Sequence, residues 1–284
     1  MTAITAAGLA AAPVVAAAPG TALGGNGTPA RVIVLGDSLS DTGNAGRFSN
    51  GRIWVETVAK ELGAELKPSE RGGTNYAVGG ARLYGGVHSL RRQADQYLAG
   101  LAGGRVPEGA LHIVYGGGND LLAAPLAPNI NVLVRDAIAS LRSILEDLAA
   151  RGAGDVLVPN LPNVGLAPYV RMLGPQVGAL ALGLTQDYNR SLSRMLDEVE
   201  GRHPGMRIHR LDVFQLAVQV MDDPARAGYR DVISPCPQQA KQACEGYLFW
   251  DGLHPTALAH EQLAGAALEA LERGTGAGRR AAAR

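Results

Sequence analysis

The stretch from Arg31 to Asn44, Arg-Val-Ile-Val-Leu-Gly-Asp-Ser-Leu-Ser-Asp-Thr-Gly-Asn, constrains the fold more than any other. Val32 to Leu35 is an unbroken apolar, mostly β-branched run, the pattern of a strand covered on both faces. The run stops at Gly36, and Asp37, Ser38, Ser40, Asp41 and Thr42 crowd in behind it. Such a strand belongs to a parallel sheet flanked by helices, where ligands bind just past the carboxyl ends of the strands. Ser38 therefore carries its hydroxyl to the place where a small molecule would arrive.

Strand and helix signals alternate through the rest of the chain. Ile53, Val55, Val58, Ala59 and Leu62 predict a short helix that ends at Gly63. A second strand region lies between Leu66 and Val78 and stops at the Gly79-Gly80 turn. Ser89 is placed to cap a helix containing Leu90, Ala94, Tyr97, Leu98 and Leu101. Leu111 to Tyr115 and Val156 to Val158 read as further strands, with an amphipathic helix from Asn131 to Ala150 between them. A long helix is expected from about Gln176 to Glu200, and the last strand from Arg207 to Val213. A short helix at Phe214 to Met221 and a closing helix at Thr256 to Glu272 complete the set. The class is α/β, with five mostly parallel strands between helices on both faces, in one domain over residues 31–273. From Gly274 the chain holds only Gly, Ala, Thr and Arg, and disorder is expected over residues 274–284.

A serine hydroxyl is a weak nucleophile unless a base takes its proton during attack. Asp251 and His254 lie three residues apart near the C-terminus, so one turn can bring the carboxylate against one imidazole nitrogen. The other nitrogen is then free to face Ser38. Gly79-Gly80 and Gly117-Gly118-Asn119-Asp120 offer glycine N–H groups and an asparagine amide, the donors an oxyanion needs. Taken singly, each residue has a plainer reading: Ser38 as a helix cap, Asn119 as a turn residue, Gly80 as the relief of a bend, His254 as a loop histidine. Those readings leave the shared placement after predicted strands unexplained.

The blocks Gly36-Asp37-Ser38-Leu39-Ser40-Asp41-Thr42-Gly43-Asn44, Asn75-Tyr76-Ala77-Val78-Gly79-Gly80-Ala81, Gly117-Gly118-Asn119-Asp120 and Asp251-Gly252-Leu253-His254-Pro255-Thr256 resemble, in order, those of the GDSL or SGNH-hydrolase lipase/esterase family. The resemblance implies a flavodoxin-like three-layer α/β/α fold. By position it also implies Ser38 as nucleophile, His254 as base, Asp251 as its partner, and Gly80 and Asn119 as oxyanion donors with the Ser38 N–H. Gly79 stands next to Gly80 and is an equal candidate for that donor. The chemistry implied is carboxylic ester cleavage through an acyl-enzyme, on lipid or short-to-medium acyl esters. The same intermediate would serve a lipid acyltransferase. A lipid- or glycan-binding protein without turnover is the alternative from another class, and the intact residue set speaks against it.

Composition narrows the partners. Charged residues make up 18% of the 284 and balance to zero, which leaves no electrostatic footprint for nucleic acid or an anionic membrane. No phosphate-binding loop, dinucleotide fingerprint or zinc-peptidase spacing occurs, and His88, His112, His203, His209 and His260 form no ligand pattern, so neither cofactor nor metal is expected. Residues 1–30 carry no charge, and Pro13, Pro19 and several glycines interrupt them, which excludes a stable membrane span. They read as an export signal, with Ala16-Ala17-Ala18 as a cleavage motif, or else as a disordered Ala-rich leader. Cys236 and Cys244 sit eight residues apart in a polar loop, where a disulfide would close a small excursion. Both features point to a secreted or periplasmic protein. Trp54, Tyr76, Tyr84 and Tyr169 are candidates for an acyl or aryl pocket, or for the core. Nothing in the sequence speaks to the oligomeric state.

Overall fold

The structure is a computed structural model and describes residues 31–124, 130–237 and 244–282. The 1–30 leader, with its export reading, lies outside the described residues. The first strand, β1 (Val32–Gly36), is buried along its whole length, as the apolar run requires. It pairs in parallel with β2 (Leu111–Tyr115), which pairs with β3 (Asp155–Pro159) and then β4 (Arg207–Leu211). On the outer side of β1 the backbone of residues 74–78 adds a fifth, irregular ribbon. The Val34 N–H donates to Thr74 O, the Tyr76 N–H to Val34 O and the Val78 N–H to Gly36 O, with a parallel bridge between Val34 and Asn75. The five expected strands are thus four regular ones and a ribbon that follows β1 without forming a continuous ladder. A short 3-10 turn at Ser69–Arg71 folds residues 67–75 back on themselves and interrupts it.

With that ribbon counted, the spatial order is second, first, third, fourth, fifth, the doubly wound order whose switch point lies between the first and third positions. Here that point is the gap between the carboxyl ends of β1 and β2. Ser38 leaves one end and Asn119 the other.

The helices cover the sheet much as their apolar spacing predicts. α1 (Trp54–Glu61) packs with α8 (Ala257–Ala282), which also covers β4. α2 (Leu90–Ala99), α4 (Ile130–Ala150) and α6 (Pro175–Arg202) pack side by side. Ser89 caps α2 by accepting the Arg92 N–H. Two short helices escape sequence reading because each is a single turn or so: α3 (Gly118–Leu122) after β2, and α5 (Pro168–Met172) before α6. The helix expected at Phe214–Met221 is α7 (Val213–Asp222), which takes Val213 from the end of the predicted strand. A small parallel pair, β5 (Asp231–Pro235) and β6 (Tyr247–Phe249), stands apart from the main sheet. The Cys236–Cys244 disulfide joins the chain after β5 to the chain before β6.

The backbone of α8 continues past Glu272, the expected end of the closing helix, to Ala282. Gly274 lies over the His209 ring, where a β-carbon would collide, so this glycine permits close helix packing in place of ending the helix. Ala and Arg beyond it are strong helix formers.

Candidate active site

Ser38 follows β1 directly, and its side chain is nearly buried. Its hydroxyl lies 2.9 Å from His254 Nε2. On the far side of the ring, Nδ1 lies 2.7 Å from Asp251 Oδ2 and 2.9 Å from Oδ1. With the carboxylate accepting the Nδ1 proton, Nε2 carries a lone pair that the Ser38 O–H can donate into. Burial pushes the Asp251 carboxyl up, but hydrogen bonds from the His254 ring and from the Leu253 and His254 N–H groups outweigh it and hold the group below the usual carboxylate range. Those same bonds close the Asp251–His254 turn. Its flanks are tied down by the Trp250 N–H on His254 O, the Tyr169 N–H on Gly252 O and the Ser49 hydroxyl on Pro255 O.

The structure also separates the two candidate glycines. The Gly79 N–H donates to Asp41 Oδ2 at 2.9 Å and is spent. Gly80, with φ of +77°, keeps an N–H that has no acceptor among the described residues, and so does Ser38. Asn119, at the start of α3, donates one amide proton to Ala81 O at 2.9 Å, which orients the amide and leaves its second proton toward the cavity. Ser38, His254 and Asp251 are thus in hydrogen-bond contact in series, Asn119 lines the same cavity as Ser38, and of the two glycines only Gly79 has its N–H engaged among the described residues.

Two further residues shape the site, and sequence reasoning assigned them no role in it. Asp41 is fully buried, and its carboxyl group accepts four backbone N–H groups: Gly43 and Asn44 on one oxygen, Ala45 and Gly79 on the other. The acid followed by Gly-Asn is a local turn signal, but nothing local reveals the reach to Gly79. Phe48 lies between Gly79 and the imidazole. Its ring centroid is 5.1 Å from that of His254, and a β-carbon at Gly79 would strike it. Glycine is needed there because an aromatic ring fills the place of a side chain.

A cavity of about 200 Å³ opens beside Ser38, Asn119 and His254, and its walls are mainly aliphatic. The aromatic residues proposed for a pocket do not line it. Trp54 is core, edge-on to Tyr115, with its indole N–H on Ser40 Oγ. Tyr76 packs against Tyr97, Tyr84 borders a separate depression, and Tyr169 is half-exposed on α5. Among the described residues, no group of three or more His, Cys, Asp or Glu side chains is arranged to hold a metal ion, and no helix is long and apolar enough to cross a membrane.

Acids stand behind the site. Burial raises Asp37 to about 6 and Asp120 to about 7. Asp120 Oδ2 accepts the Leu83 N–H at 2.9 Å, so neighbouring residues of α3 grip both Ala81 and Leu83 in the segment after Gly80. Asp120 Oδ1 has no partner among the described residues.

Comparison with known proteins identifies the family and the fold. The family model described as GDSL-like Lipase/Acylhydrolase matches residues 32–267. Lipase 1 of Photorhabdus luminescens is 35% identical over a match that covers 48% of this chain but only 23% of that longer protein. A GDSL esterase/lipase of Arabidopsis thaliana is 26% identical, with 84% of this chain and 86% of that protein covered. Among solved structures, the acetylxylan esterase Axe2 of Geobacillus stearothermophilus aligns with a TM-score of 0.52 at 16% identity, over 84% of this chain and 93% of that one. That likeness is one of fold.

Two predictions come from the buried acids. Asp41→Asn puts a donor where N–H groups point, so kcat should fall at least tenfold, more than KM rises, with a stability loss of about 1–3 kcal/mol. Unchanged kcat in a folded variant would release Asp41 from the site. For Asp120, the folded state holds a proton between pH of about 4 and about 7 that the unfolded chain has already lost, so stability drains away as pH rises through that window. Asp120→Asn keeps an acceptor for the Leu83 N–H and cannot ionise. Its stability advantage over the parent should grow from pH 5 to pH 8 by on the order of a few kcal/mol in urea unfolding. Equal advantages at both pH values would place the cost of charge elsewhere.

Proposed function

The chain belongs to the GDSL-like lipase/acylhydrolase family of ester hydrolases, and from that premise we propose that it cleaves carboxylic esters by acyl transfer through Ser38. The observation that carries this reading is the unbroken series from the Ser38 hydroxyl through His254 to Asp251, facing an apolar cavity with unspent N–H groups beside it.

Ser38 Oγ attacks the ester carbonyl carbon as its proton passes to His254 Nε2. The carbonyl oxygen gains the negative charge and is held by the Ser38 and Gly80 N–H groups and by the free proton of the Asn119 amide. Asp251 keeps the imidazole in the tautomer that can accept a proton and stabilises the cation that forms. Collapse of the intermediate breaks the ester C–O bond, and the alcohol leaves with the proton from Nε2. Water then gives a proton to the same nitrogen while its oxygen attacks the acyl-enzyme. The acid departs, and the proton returns to Ser38. No step calls for a metal or an organic cofactor.

The substrates we propose are lipid or short-to-medium acyl esters, because the cavity beside Ser38 is walled mainly by apolar side chains. We further propose that the protein works outside the cytoplasm. The Cys236–Cys244 disulfide supports this, since such bonds persist in oxidising compartments.

Two experiments test the reading. A fluorophosphonate probe should label the protein once, at Ser38, and Ser38→Ala should abolish both labelling and hydrolysis of p-nitrophenyl butyrate. Labelling that survives in Ser38→Ala would move the nucleophile elsewhere. Asn119→Ala should lower kcat roughly a hundred- to a thousand-fold, with KM little changed. A variant with parental turnover would remove that amide from the oxyanion site.

A further inference from the structure

We propose that the cavity beside Ser38 measures acyl-chain length, taking straight saturated chains of roughly eight to ten carbons along one face of α7. This rests on the ester-hydrolase reading above and deepens it.

The face of α7 supplies the argument. Val213, Leu216, Ala217, Val220 and Met221 all line the cavity, at the three- and four-residue spacing of a single helical stripe. An apolar stripe on a helix ordinarily disappears into a core. Here Leu216, Ala217 and Met221 remain only partly buried, because what lies opposite them is open space. The helix begins directly after the carboxyl end of β4, at the same edge of the sheet as Ser38. Val213 packs in the main core, and Val220 and Met221 lie at the other end of the stripe. That end is a satellite apolar cluster built on Val220, Tyr229 and Val232, separate from the main core.

Length and volume converge. From Val213 to Met221 the helix rises about 12 Å at about 1.5 Å per residue. An extended alkyl chain, with C–C bonds of about 1.5 Å, advances roughly 1.25 Å per carbon and would cover that distance with nine or ten carbons. An apolar cavity of about 150 Å³ is known to hold benzene. At that density the 200 Å³ here accommodates roughly eight carbons. The Tyr229 end of the stripe offers little to a polar tail. The Tyr229 hydroxyl donates to Gln262 Oε1 at 2.8 Å, and Gln262 Nε2 donates to Ala227 O at 2.7 Å, so these polar groups are already engaged.

The test uses p-nitrophenyl esters from acetate to palmitate, below their micellar concentrations, with the full chain and two variants. In the parent, kcat/KM should climb by about fourfold per methylene up to octanoate or decanoate and then stop rising. Ala217→Phe narrows the cavity midway along α7, and the ratio of kcat/KM for decanoate to that for butyrate should fall at least tenfold. Leu216→Ala opens it, and the break should move to longer chains. A flat parental profile, or a break that neither variant moves while Ser38 still reacts with fluorophosphonate, would overturn the inference and leave the hydrolase reading standing. No turnover of any ester, together with an unreactive Ser38, would overturn both.

Discussion

A single buried carboxyl group does much to decide which backbone donors remain available at the head of the sheet. Asp41 accepts four N–H groups, three from its own turn and the fourth from Gly79. Donors buried without partners are costly, so a chain that leaves any unspent must satisfy their neighbours thoroughly. With Gly79 engaged, the Gly80 and Ser38 N–H groups are left without acceptors among the described residues. Asn44 extends the same arrangement by donating its amide protons to Asn75 O and Ala77 O. The irregular ribbon at residues 74–78 is thus held by β1 on one side and by the turn after β1 on the other. Its lack of a regular ladder is compatible with a fixed position.

Much of this was legible in the sequence, for reasons specific to each element. β1, β2 and β3 were readable because a strand covered on both faces has little latitude: Val32–Leu35, Leu111–Tyr115 and Val156–Val158 admit few readings. The α4 and α6 periodicities are long enough to average out local exceptions. The site residues were readable because each follows a strand end or a glycine turn. What was not legible depends on reach across the chain. Asp41 looks like a turn residue until Gly79 is seen against it. That the Gly79 N–H is engaged therefore needed the contact, and the spacing could not supply it. Aromatic side chains misled in the opposite way: Trp54 and Tyr76 are large and near the motif blocks, but both pack with the core and neither lines the cavity, whose aromatic lining is Tyr115, Tyr229 and Phe249 among mostly aliphatic residues.

Placing acids behind the serine carries a cost in stability. Asp37 and Asp120 are nearly inaccessible to water, and burial raises both well above a free carboxyl. A neutral residue would be cheaper to bury. Each nonetheless accepts a backbone N–H at a corner that matters: Asp37 from Leu39 beside the serine, Asp120 from Leu83 in the segment after Gly80. Asn119 and Asp120 together fix that segment from the β2 side while Asp41 fixes it from the β1 side. The two halves of the switch point are therefore registered to each other through short polar contacts, where aliphatic packing would tolerate more sliding.

The residues around the cavity are divided between two apolar clusters. Ser38, Gly80, Asn119 and the buried acids grow out of the main sheet, whose core is continuous with α1, α2, α4, α6 and α8. One wall of the cavity belongs to a smaller cluster formed by the C-terminal end of α7, the segment around Tyr229 and the β5–β6 pair, which the Cys236–Cys244 bridge closes covalently. Val213 and Leu216, nearer the start of α7, pack with the main core, so this helix joins the two clusters. The Asp251–His254 turn sits between the two, leaving β6 and entering α8, so it is braced by the smaller cluster while it reaches back to the larger one. The proximity of Ser38 and His254, 216 residues apart in the chain, therefore depends on the docking of that smaller unit as much as on the sheet itself.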